Sequence, residues 1–245
     1  MSIATVQFHS EILERNVMYN ILLPDSGDGP YPVTMLLHGY GDNYNSWLYQ
    51  TNVALYAQKR SMIIVLPDGG NTYYLNISIP NPIQPIFHQW GALMIEDFLI
   101  EDLREHVCKT FPVRPGRWAI GGNSMGGYGA MRLGCKYPEL FASIRAHSGV
   151  FHQKEDLIGV CPDPDEADIY RITEELAHSE HKVEIGFDCG TEDALLEHNR
   201  RLHTHMERIG LAHDYAENAG GHTWGYWDRQ LSAALNQHAR VFEQE

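Results

Sequence analysis

The stretch AIGGNSMGGYGA, residues 119–130, places five glycines around a single serine, Ser124. A β-type segment, RWAIGG, leads into it, and an apolar helical segment, YGAMRLGCKY, follows it. Gly122 to Gly126 fits the pattern G-x-S-x-G, in which the serine occupies a sharp and strained strand-to-helix turn. Glycine two residues to either side removes the Cβ atoms that would collide where the helix approaches the strand. The stretch therefore predicts a nucleophile elbow with Ser124 as the nucleophile.

Around this turn, β-type runs alternate with helical patterns of ten residues or more, which is typical of a mostly parallel sheet covered by helices on both faces. The predicted strands are TVQFHSEIL, RNVMYNILLP, YPVTMLLHG, SMIIVLPDGG, RWAIGG, SIRAHSGV, KVEIGFDCG and LAHDYAEN. The predicted helices span residues 47–60, 91–111, 128–137, 192–210 and 227–242. Residues 71–89 and 152–180 interrupt the alternation, and insertions of this length are often functional loops or lids. We expect a single α/β domain over residues 1–245.

The charge balance, 18 basic against 32 acidic residues, gives a net charge of -14. This charge argues against nucleic acid and anionic membranes as partners, because both are polyanions. The four cysteines lie far apart in no CxxC arrangement, so we expect neither a zinc site nor a disulfide framework, and reduced thiols. The sequence also shows no signal-peptide pattern and no run of 18 apolar residues, which predicts a cytoplasmic protein that is not embedded in a membrane.

A serine hydroxyl is a weak nucleophile near neutral pH and needs a base, which in turn needs an acid to orient it. In this type of fold the chain order is serine, acid, histidine, each on a loop at the carboxyl end of a strand. Among 14 histidines, His222 is the one that follows a glycine pair after the last predicted strand. Asp193 lies a few residues beyond the strand KVEIGFDCG and is the predicted acid, with Asp188 and Glu192 as rival candidates.

Acyl transfer also requires an oxyanion hole, formed by two N–H groups that point at the oxygen of the tetrahedral intermediate. The residue after the nucleophile, Met125, supplies one of them. The loop His38-Gly39-Tyr40-Gly41, at the end of a buried apolar run, is expected to supply the other. We assign it to the N–H of Tyr40, with Gly41 as the second candidate, and expect His38 to brace the loop by hydrogen bonds.

Aromatic residues lie close in sequence to these loops. Trp47 and Trp224 are candidates for the wall of a substrate pocket, although each could equally be an ordinary core residue. Tyr73, Tyr74 and Phe87, within residues 71–89, are candidates for covering the site, although that segment could equally be an irregular surface excursion.

The segments LLHGYGDNYNSW, GGNSMGGYGAMRLG, DCGTEDALLEHN and GGHTWGYWDRQL together resemble the esterase D branch of the α/β-hydrolases. This branch includes tributyrin and acetyl esterases, feruloyl esterases and S-formylglutathione hydrolases, and the match runs from about Asn16 to Phe242. The resemblance implies an eight-stranded, mostly parallel sheet without a large cap domain. It also implies Ser124 as nucleophile, His222 as base and then acid, and Asp193 as its orienting acid, with Met125 and Tyr40 as N–H donors.

The predicted activity is that of a serine carboxylesterase that hydrolyses short-chain acyl or aryl esters through an acyl-enzyme intermediate, with a small-molecule ester as its partner and no metal or organic cofactor. S-formylglutathione hydrolases usually carry a cysteine shortly after the oxyanion loop and an asparagine-proline pair after the strand that corresponds to SIRAHSGV. GDNYNSW and AHSGVF lack these features, which ranks thioesterase activity lower. The sequence is also compatible with an acyltransferase or a non-catalytic binding protein of the same fold, and with a homo-oligomer.

Overall fold

The computed structural model describes residues 1–25, 29–78, 92–152, 154 and 163–244. It contains ten strands in this part of the chain: β1 (Ser2–Ser10), β2 (Arg15–Leu23), β3 (Val33–Leu37), β4 (Ile63–Pro67), β5 (Asn76–Ser78), β6 (Ala92–Met94), β7 (Trp118–Asn123), β8 (Phe141–His147), β9 (Glu184–Gly190) and β10 (Asp214–Asn218). Strands β5 and β6 pair with each other in a small antiparallel sheet. The other eight form the main sheet.

The main sheet has the order β1-β2-β4-β3-β7-β8-β9-β10. Every pair from β4 to β10 is parallel, whereas β2 is antiparallel to both of its neighbours. The predicted eight-stranded, mostly parallel sheet is therefore confirmed. Because β3, β7, β8, β9 and β10 are neighbours that run in one direction, the loops that follow them meet at a single edge of the sheet.

The helices are α1 (Ser46–Gln50), α2 (Val53–Ala57), α3 (Ile95–Asp97), α4 (Arg104–Thr110), α5 (Met125–Lys136), α6 (Pro164–Ala167), α7 (Ile169–Ala177), α8 (Leu196–Ile209) and α9 (Trp224–Phe242), with a π-helical segment, Phe98–Leu103, that joins α3 to α4. The helix predicted for residues 192–210 ends where expected, at Gly210 with a φ of 71°. Among the residues that the structure describes, no helix is both long and apolar enough to span a membrane.

Two helix predictions were partly wrong. Residues 47–60 form two short helices, because Thr51 is extended and the N–H of Asn52 donates to the carboxylate of Asp228 on α9 at 2.7 Å. The segment predicted as a helix from residue 91 begins as strand β6, and its helical part starts at Ile95. In both cases pairing with a distant segment replaced the local helical hydrogen bonds.

Two apolar clusters cover the two faces of the main sheet. Along β3, Met35 and Leu37 belong to the first cluster and Leu36 to the second, as expected for a strand whose successive side chains point to opposite faces. Helices α5, α7 and α8 pack in the first cluster, and helices α1, α2 and α9 pack in the second. Burial on both faces explains why the central strands have continuous apolar sequences instead of alternating ones.

The two predicted insertions are described in part. Residues 79–91, residue 153 and residues 155–162 lie outside the described residues, and Phe87 and Cys161 are among them. Of the remainder, residues 163–180 contain α6 and α7, and Asp163 caps α6 by accepting the N–H groups of Asp165 and Glu166. The acidic segment DPDEAD, residues 163–168, therefore begins with a helix N-cap.

Candidate active site

Ser124 lies between the end of β7 and the start of α5. Its backbone has φ 55° and ψ -119°, a conformation that residues other than glycine rarely adopt. Its N–H donates to the carbonyl of His147 on the neighbouring strand at 2.9 Å, and its own carbonyl accepts the N–H of Tyr128 at 3.0 Å. These two bonds hold the strained turn in place, and the turn places the serine at the N-terminus of α5.

The glycines on either side of Ser124 have close backbone neighbours. A Cβ atom on Gly122 would lie 2.4 Å from the carbonyl oxygen of Gly126. A Cβ atom on Gly126 would lie 2.3 Å from the carbonyl oxygen of Leu37 and 2.6 Å from that of His38. The first contact is the approach of helix and strand that the sequence predicts. The second joins the elbow to the end of β3, which the sequence does not indicate.

Ser124, His222 and Asp193 come together although they are far apart in the chain. The Oγ of Ser124 lies 2.9 Å from Nε2 of His222. The Nδ1 of His222 lies 2.9 Å from Oδ2 and 3.1 Å from Oδ1 of Asp193. This is the arrangement in which a serine donates to a neutral imidazole while the imidazole donates to a carboxylate.

The carboxylate of Asp193 is fully buried, whereas the imidazole of His222 is 36% exposed. Burial by itself raises the pKa of Asp193, but hydrogen bonds from His222, from the N–H of Leu195 and from the hydroxyl of Ser148 outweigh it and leave the pKa below its ordinary value. Asp193 is therefore an anion in the folded protein near neutral pH. A buried anion that accepts from Nδ1 fixes the tautomer in which Nε2 is free to accept a proton.

The loop after β3 runs beside the nucleophile. A Cβ atom on Gly39 would lie 3.6 Å from Cβ of Ser124, so the backbone of this loop and the elbow are in close proximity. The N–H of Gly41, the second candidate for the oxyanion donor, donates to Oδ1 of Asn71 at 2.7 Å. This N–H therefore already has a hydrogen-bond acceptor within the protein. Met125, whose N–H is the other predicted donor, is the first residue of α5.

The Esterase family model matches residues 10–238. The chain belongs to the esterase family. An acetyl esterase of Caldicellulosiruptor saccharolyticus is 26% identical to it over an alignment 280 residues long, which covers 98% of this chain and 99% of that protein. Among solved structures, fluorophosphonate-binding serine hydrolase F of Staphylococcus aureus has a TM-score of 0.85 at 21% identity, with 97% of this chain and 98% of that chain covered. An S-formylglutathione hydrolase from Staphylococcus aureus has a TM-score of 0.80 at 20% identity, with 97% and 98% covered.

The expected relationship to the esterase D branch, with its α/β-hydrolase fold, is thereby confirmed, and this esterase is a serine hydrolase that acts on ester bonds. The structural matches are below 25% in identity and show the common fold.

In this esterase His38 braces the loop after β3, as the sequence predicts. Its Nε2 accepts the N–H of Gly69 at 3.0 Å, and its Nδ1 lies 2.8 Å from the carbonyl oxygen of Gly39. The hydroxyl of Tyr74 donates to the carbonyl of His38 at 2.8 Å. Tyr74 is fully buried, so it supports the loop from inside the protein instead of covering the site.

The two tryptophans proposed as pocket walls differ in position. Trp47 is only 1% exposed, and its indole N–H donates to the carbonyl of Leu37 at 3.0 Å. It is a core residue with no surface to offer a substrate, which agrees with the second of the two alternatives that the sequence left open for this position. Trp224 is half-buried and packs edge-on against Trp47 and Trp227, each at 5.1 Å between ring centroids. Trp227 in turn packs edge-on against His222 at 4.9 Å.

The rival candidate for the acid, Asp188, is bonded to a different set of side chains. It lies inside β9, fully buried, where its carboxylate accepts from Tyr226, His147 and Arg145 at 2.8, 2.8 and 3.1 Å. Burial raises its pKa, but His147, Arg145 and Tyr226 lower it below the ordinary value. Asp188 thus bonds residues other than His222, and a buried ion pair of this kind has no recognisable sequence signal.

Proposed function

We propose that this esterase hydrolyses small, short-chain acyl esters, acetyl esters above all, by acyl transfer through Ser124. The observation that supports the proposal most strongly is the continuous hydrogen-bonded series from Ser124 Oγ through His222 to the buried Asp193 carboxylate, with 2.9 Å at each step. Each residue in that series has the chemistry its place requires: a hydroxyl as nucleophile, an imidazole as base and a carboxylate that orients the imidazole.

In the proposed mechanism the oxygen of Ser124 attacks the ester carbonyl carbon while Nε2 of His222 takes the hydroxyl proton. The carbonyl oxygen becomes an anion that the N–H groups of Met125 and Tyr40 stabilise, and each such donor contributes about 3 to 4 kcal/mol to the transition state. His222 then gives its proton to the alcohol oxygen as the C–O bond breaks. Water repeats the sequence, with His222 as base, and releases the acid and the free serine.

Three aromatic rings support a preference for small acyl groups. Tyr73 lies between Tyr40 of the oxyanion loop and Tyr128 of α5, at 6.3 and 6.0 Å between ring centroids. Tyr128 is fully buried and lies behind the other two, so Tyr40 and Tyr73 are the rings of this group that can contact an acyl group on the oxyanion-loop side of the elbow. The acetyl esterase relative, which aligns over nearly the full length of both chains, supports the same acyl size. Trp224, on the His222 side, is a candidate contact for the alcohol portion of an ester.

We further propose a single catalytic domain in a cytoplasmic setting. The free thiols of Cys108, Cys135 and Cys189 support a reducing compartment. Sedimentation of the purified protein would test whether it forms a homo-oligomer.

Substitution of the nucleophile tests the proposal. Ser124→Ala is expected to lower kcat for p-nitrophenyl acetate by about 10,000-fold or more, because removing the nucleophile of such a triad disables the unit as a whole. The same assay across acetate, butyrate and octanoate esters and S-formylglutathione is expected to give the highest kcat/KM with acetate. Near-wild-type turnover by Ser124→Ala, or activity confined to the thioester, would contradict the proposal.

A further inference from the structure

Asp188 lies within β9, and its carboxylate joins two elements that support the triad. Its Oδ2 accepts the Nδ1–H of His147 at 2.8 Å, and its Oδ1 accepts the hydroxyl of Tyr226 at 2.8 Å. His147 is the last residue of β8, whereas Tyr226 lies in the first turn of α9. All three residues are buried, with exposed fractions of 2% or less. One carboxylate thus connects a strand end to a helix start inside the protein.

The His147 side of this connection supports the nucleophile. The carbonyl of His147 accepts the N–H of Ser124 at 2.9 Å, and that bond helps to hold the strained backbone of the elbow. The N–H of Ser148, the next residue along the chain, donates to the carbonyl of Asp188 at 2.7 Å. Asp188 therefore holds the end of β8 through both its side chain and its backbone, and the end of β8 holds Ser124.

The Tyr226 side of the connection supports the base and its acid. The ring of Tyr226 lies directly against Gly220, where an added Cβ atom would come within 2.9 Å of Cδ2 of the ring. Gly220 comes two residues before His222, and its carbonyl accepts the N–H of Glu192 at 2.9 Å. Glu192 directly precedes Asp193. The position of Tyr226 is therefore transmitted to the loops that carry His222 and Asp193.

We propose that Asp188 is a positioning residue, whose carboxylate fixes the support of Ser124 and the support of His222 relative to each other. Its bonds to His147 and Tyr226 thereby maintain the distance of 2.9 Å between Oγ of the serine and Nε2 of the histidine. This inference rests on the proposed function, in which His222 takes the proton of Ser124. Proton transfer requires hydrogen-bonding reach, and a displacement of about 1 Å can lower turnover by about 100-fold.

The same carboxylate also pairs with Arg145 at 3.1 Å, and a buried ion pair can serve the fold alone. The two roles differ in their effect on the folded enzyme. A purely stabilising role changes the unfolding midpoint and leaves turnover per folded molecule unchanged. A positioning role lowers kcat in the folded molecules and changes KM little, because Asp188 is fully buried and does not contact the substrate.

The experiment compares Tyr226→Phe, Asp188→Asn and the double variant with the wild type. Tyr226→Phe removes one hydroxyl and keeps the ring that packs against Gly220, so it isolates the bond to Asp188 and decides the question if Asp188→Asn folds poorly. Turnover of p-nitrophenyl acetate gives kcat and KM. The second-order rate at which a fluorophosphonate labels Ser124 is measured as well, because labelling needs the same proton transfer to His222. Urea unfolding gives the stability of each variant.

The matched control is Tyr137→Phe. Tyr137 follows the last residue of α5, and its hydroxyl likewise donates to a buried carboxylate, that of Glu96, at 2.6 Å. This carboxylate is also paired with an arginine, Arg132, at 2.6 Å. Because Ser124 precedes the first of the 12 residues of α5, the helix separates it from Tyr137 by about 20 Å. The loss of one hydroxyl bond to a buried carboxylate is thus compared near the triad and far from it.

Tyr226→Phe is expected to lower both kcat and the labelling rate by about 10-fold, with KM little changed. Asp188→Asn should lower both by about 100-fold, and the double variant should show little further loss, because both substitutions act on the same bond. Tyr137→Phe should lower the unfolding midpoint by about as much as Tyr226→Phe does, while its kcat and labelling rate remain those of the wild type.

Wild-type kcat and labelling in Tyr226→Phe would refute the inference about Asp188 and leave the proposed function standing. Equal losses of kcat in Tyr226→Phe and Tyr137→Phe would also refute it, because the effect would then follow from destabilisation in general. A wild type that neither hydrolyses p-nitrophenyl acetate nor reacts with the fluorophosphonate would instead overturn the proposed function itself.

Discussion

Gly126→Ala tests the explanation given for the nucleophile elbow. Gly126 is the second residue of α5, where helix propensity alone would make alanine more stable than glycine by up to about 1 kcal/mol. The structure predicts the opposite sign. The new Cβ would lie 2.3 Å from the carbonyl oxygen of Leu37, whereas an ordinary C···O contact needs about 3.3 Å. The end of β3 and the start of α5 must therefore separate by about 1 Å.

Overpacking of this kind costs about 1 to 3 kcal/mol, and backbone atoms cannot rotate away, so the upper part of that range applies. After the gain in helix propensity, we expect a net loss of about 2 kcal/mol in the free energy of unfolding. Because Leu37 directly precedes the oxyanion loop and His38 is its first residue, the same displacement moves the N–H of Tyr40. A shift of about 1 Å at such a position can lower kcat by about 100-fold.

Gly225→Ala is the matched control, since Gly225 is the second residue of α9. A Cβ there meets Arg229 Nη1 at 3.9 Å, which is an ordinary contact, so this variant should gain up to about 1 kcal/mol. Urea unfolding of both variants, read from the midpoints at constant m, gives the comparison, and p-nitrophenyl acetate turnover gives the activity. Equal stabilisation by the two alanines, with wild-type turnover in Gly126→Ala, would refute the reasoning.

Arg132→Met should lower the free energy of unfolding by about 3 kcal/mol, because it leaves the buried carboxylate of Glu96, now 2.6 Å from Arg132, short of one partner. Urea unfolding measures this loss. The control is Lys109→Met, which removes an exposed ion pair with Glu105 and should leave the unfolding midpoint nearly unchanged. Similar losses of stability in the two variants would contradict the account. Burial, with two neighbouring charges, lowers the pKa of His238 from its ordinary value of 6.5 to about 3. The unfolded chain thus binds a proton in this range that the folded protein does not, and stability should fall from pH 6.5 towards pH 3 by at most about 1.4 kcal/mol per unit from this group. His238→Gln should flatten that dependence in urea titrations at several pH values, and an unchanged slope would show that the imidazole is not held neutral.

Much of the fold follows from local sequence. Strand β3 reads as VTMLL, apolar throughout apart from Thr34, because it is buried on both faces, and the glycines around Ser124 mark the elbow because side chains do not fit there. The positions of Asp193 and His222 after β9 and β10 follow from strand order, since parallel neighbours bring their following loops to one edge. These features depend on backbone geometry and periodicity, which a sequence records directly.

The features that the sequence did not reveal depend on contacts between distant side chains. Trp47 lies close in sequence to the oxyanion loop, yet its side chain is in the core and its indole N–H donates to the carbonyl of Leu37. Ser148 and Trp227 are 79 residues apart, and nothing in either segment indicates their hydrogen bond. Asp188 and Asp193 are both acids near the end of β9, and the neighbours supplied by β8 and α9 decide which of them faces His222. Only the packed structure specifies such pairs.

The central claim is that the hydroxyl of Ser124 becomes the covalent nucleophile. Incubation of the wild type with a fluorophosphonate, followed by proteolysis and mass spectrometry, tests it directly. We expect a single adduct on the peptide that contains Ser124, complete loss of esterase activity in step with labelling, and no adduct in Ser124→Ala. Full labelling at another residue, or an active enzyme that resists the reagent, would contradict the account.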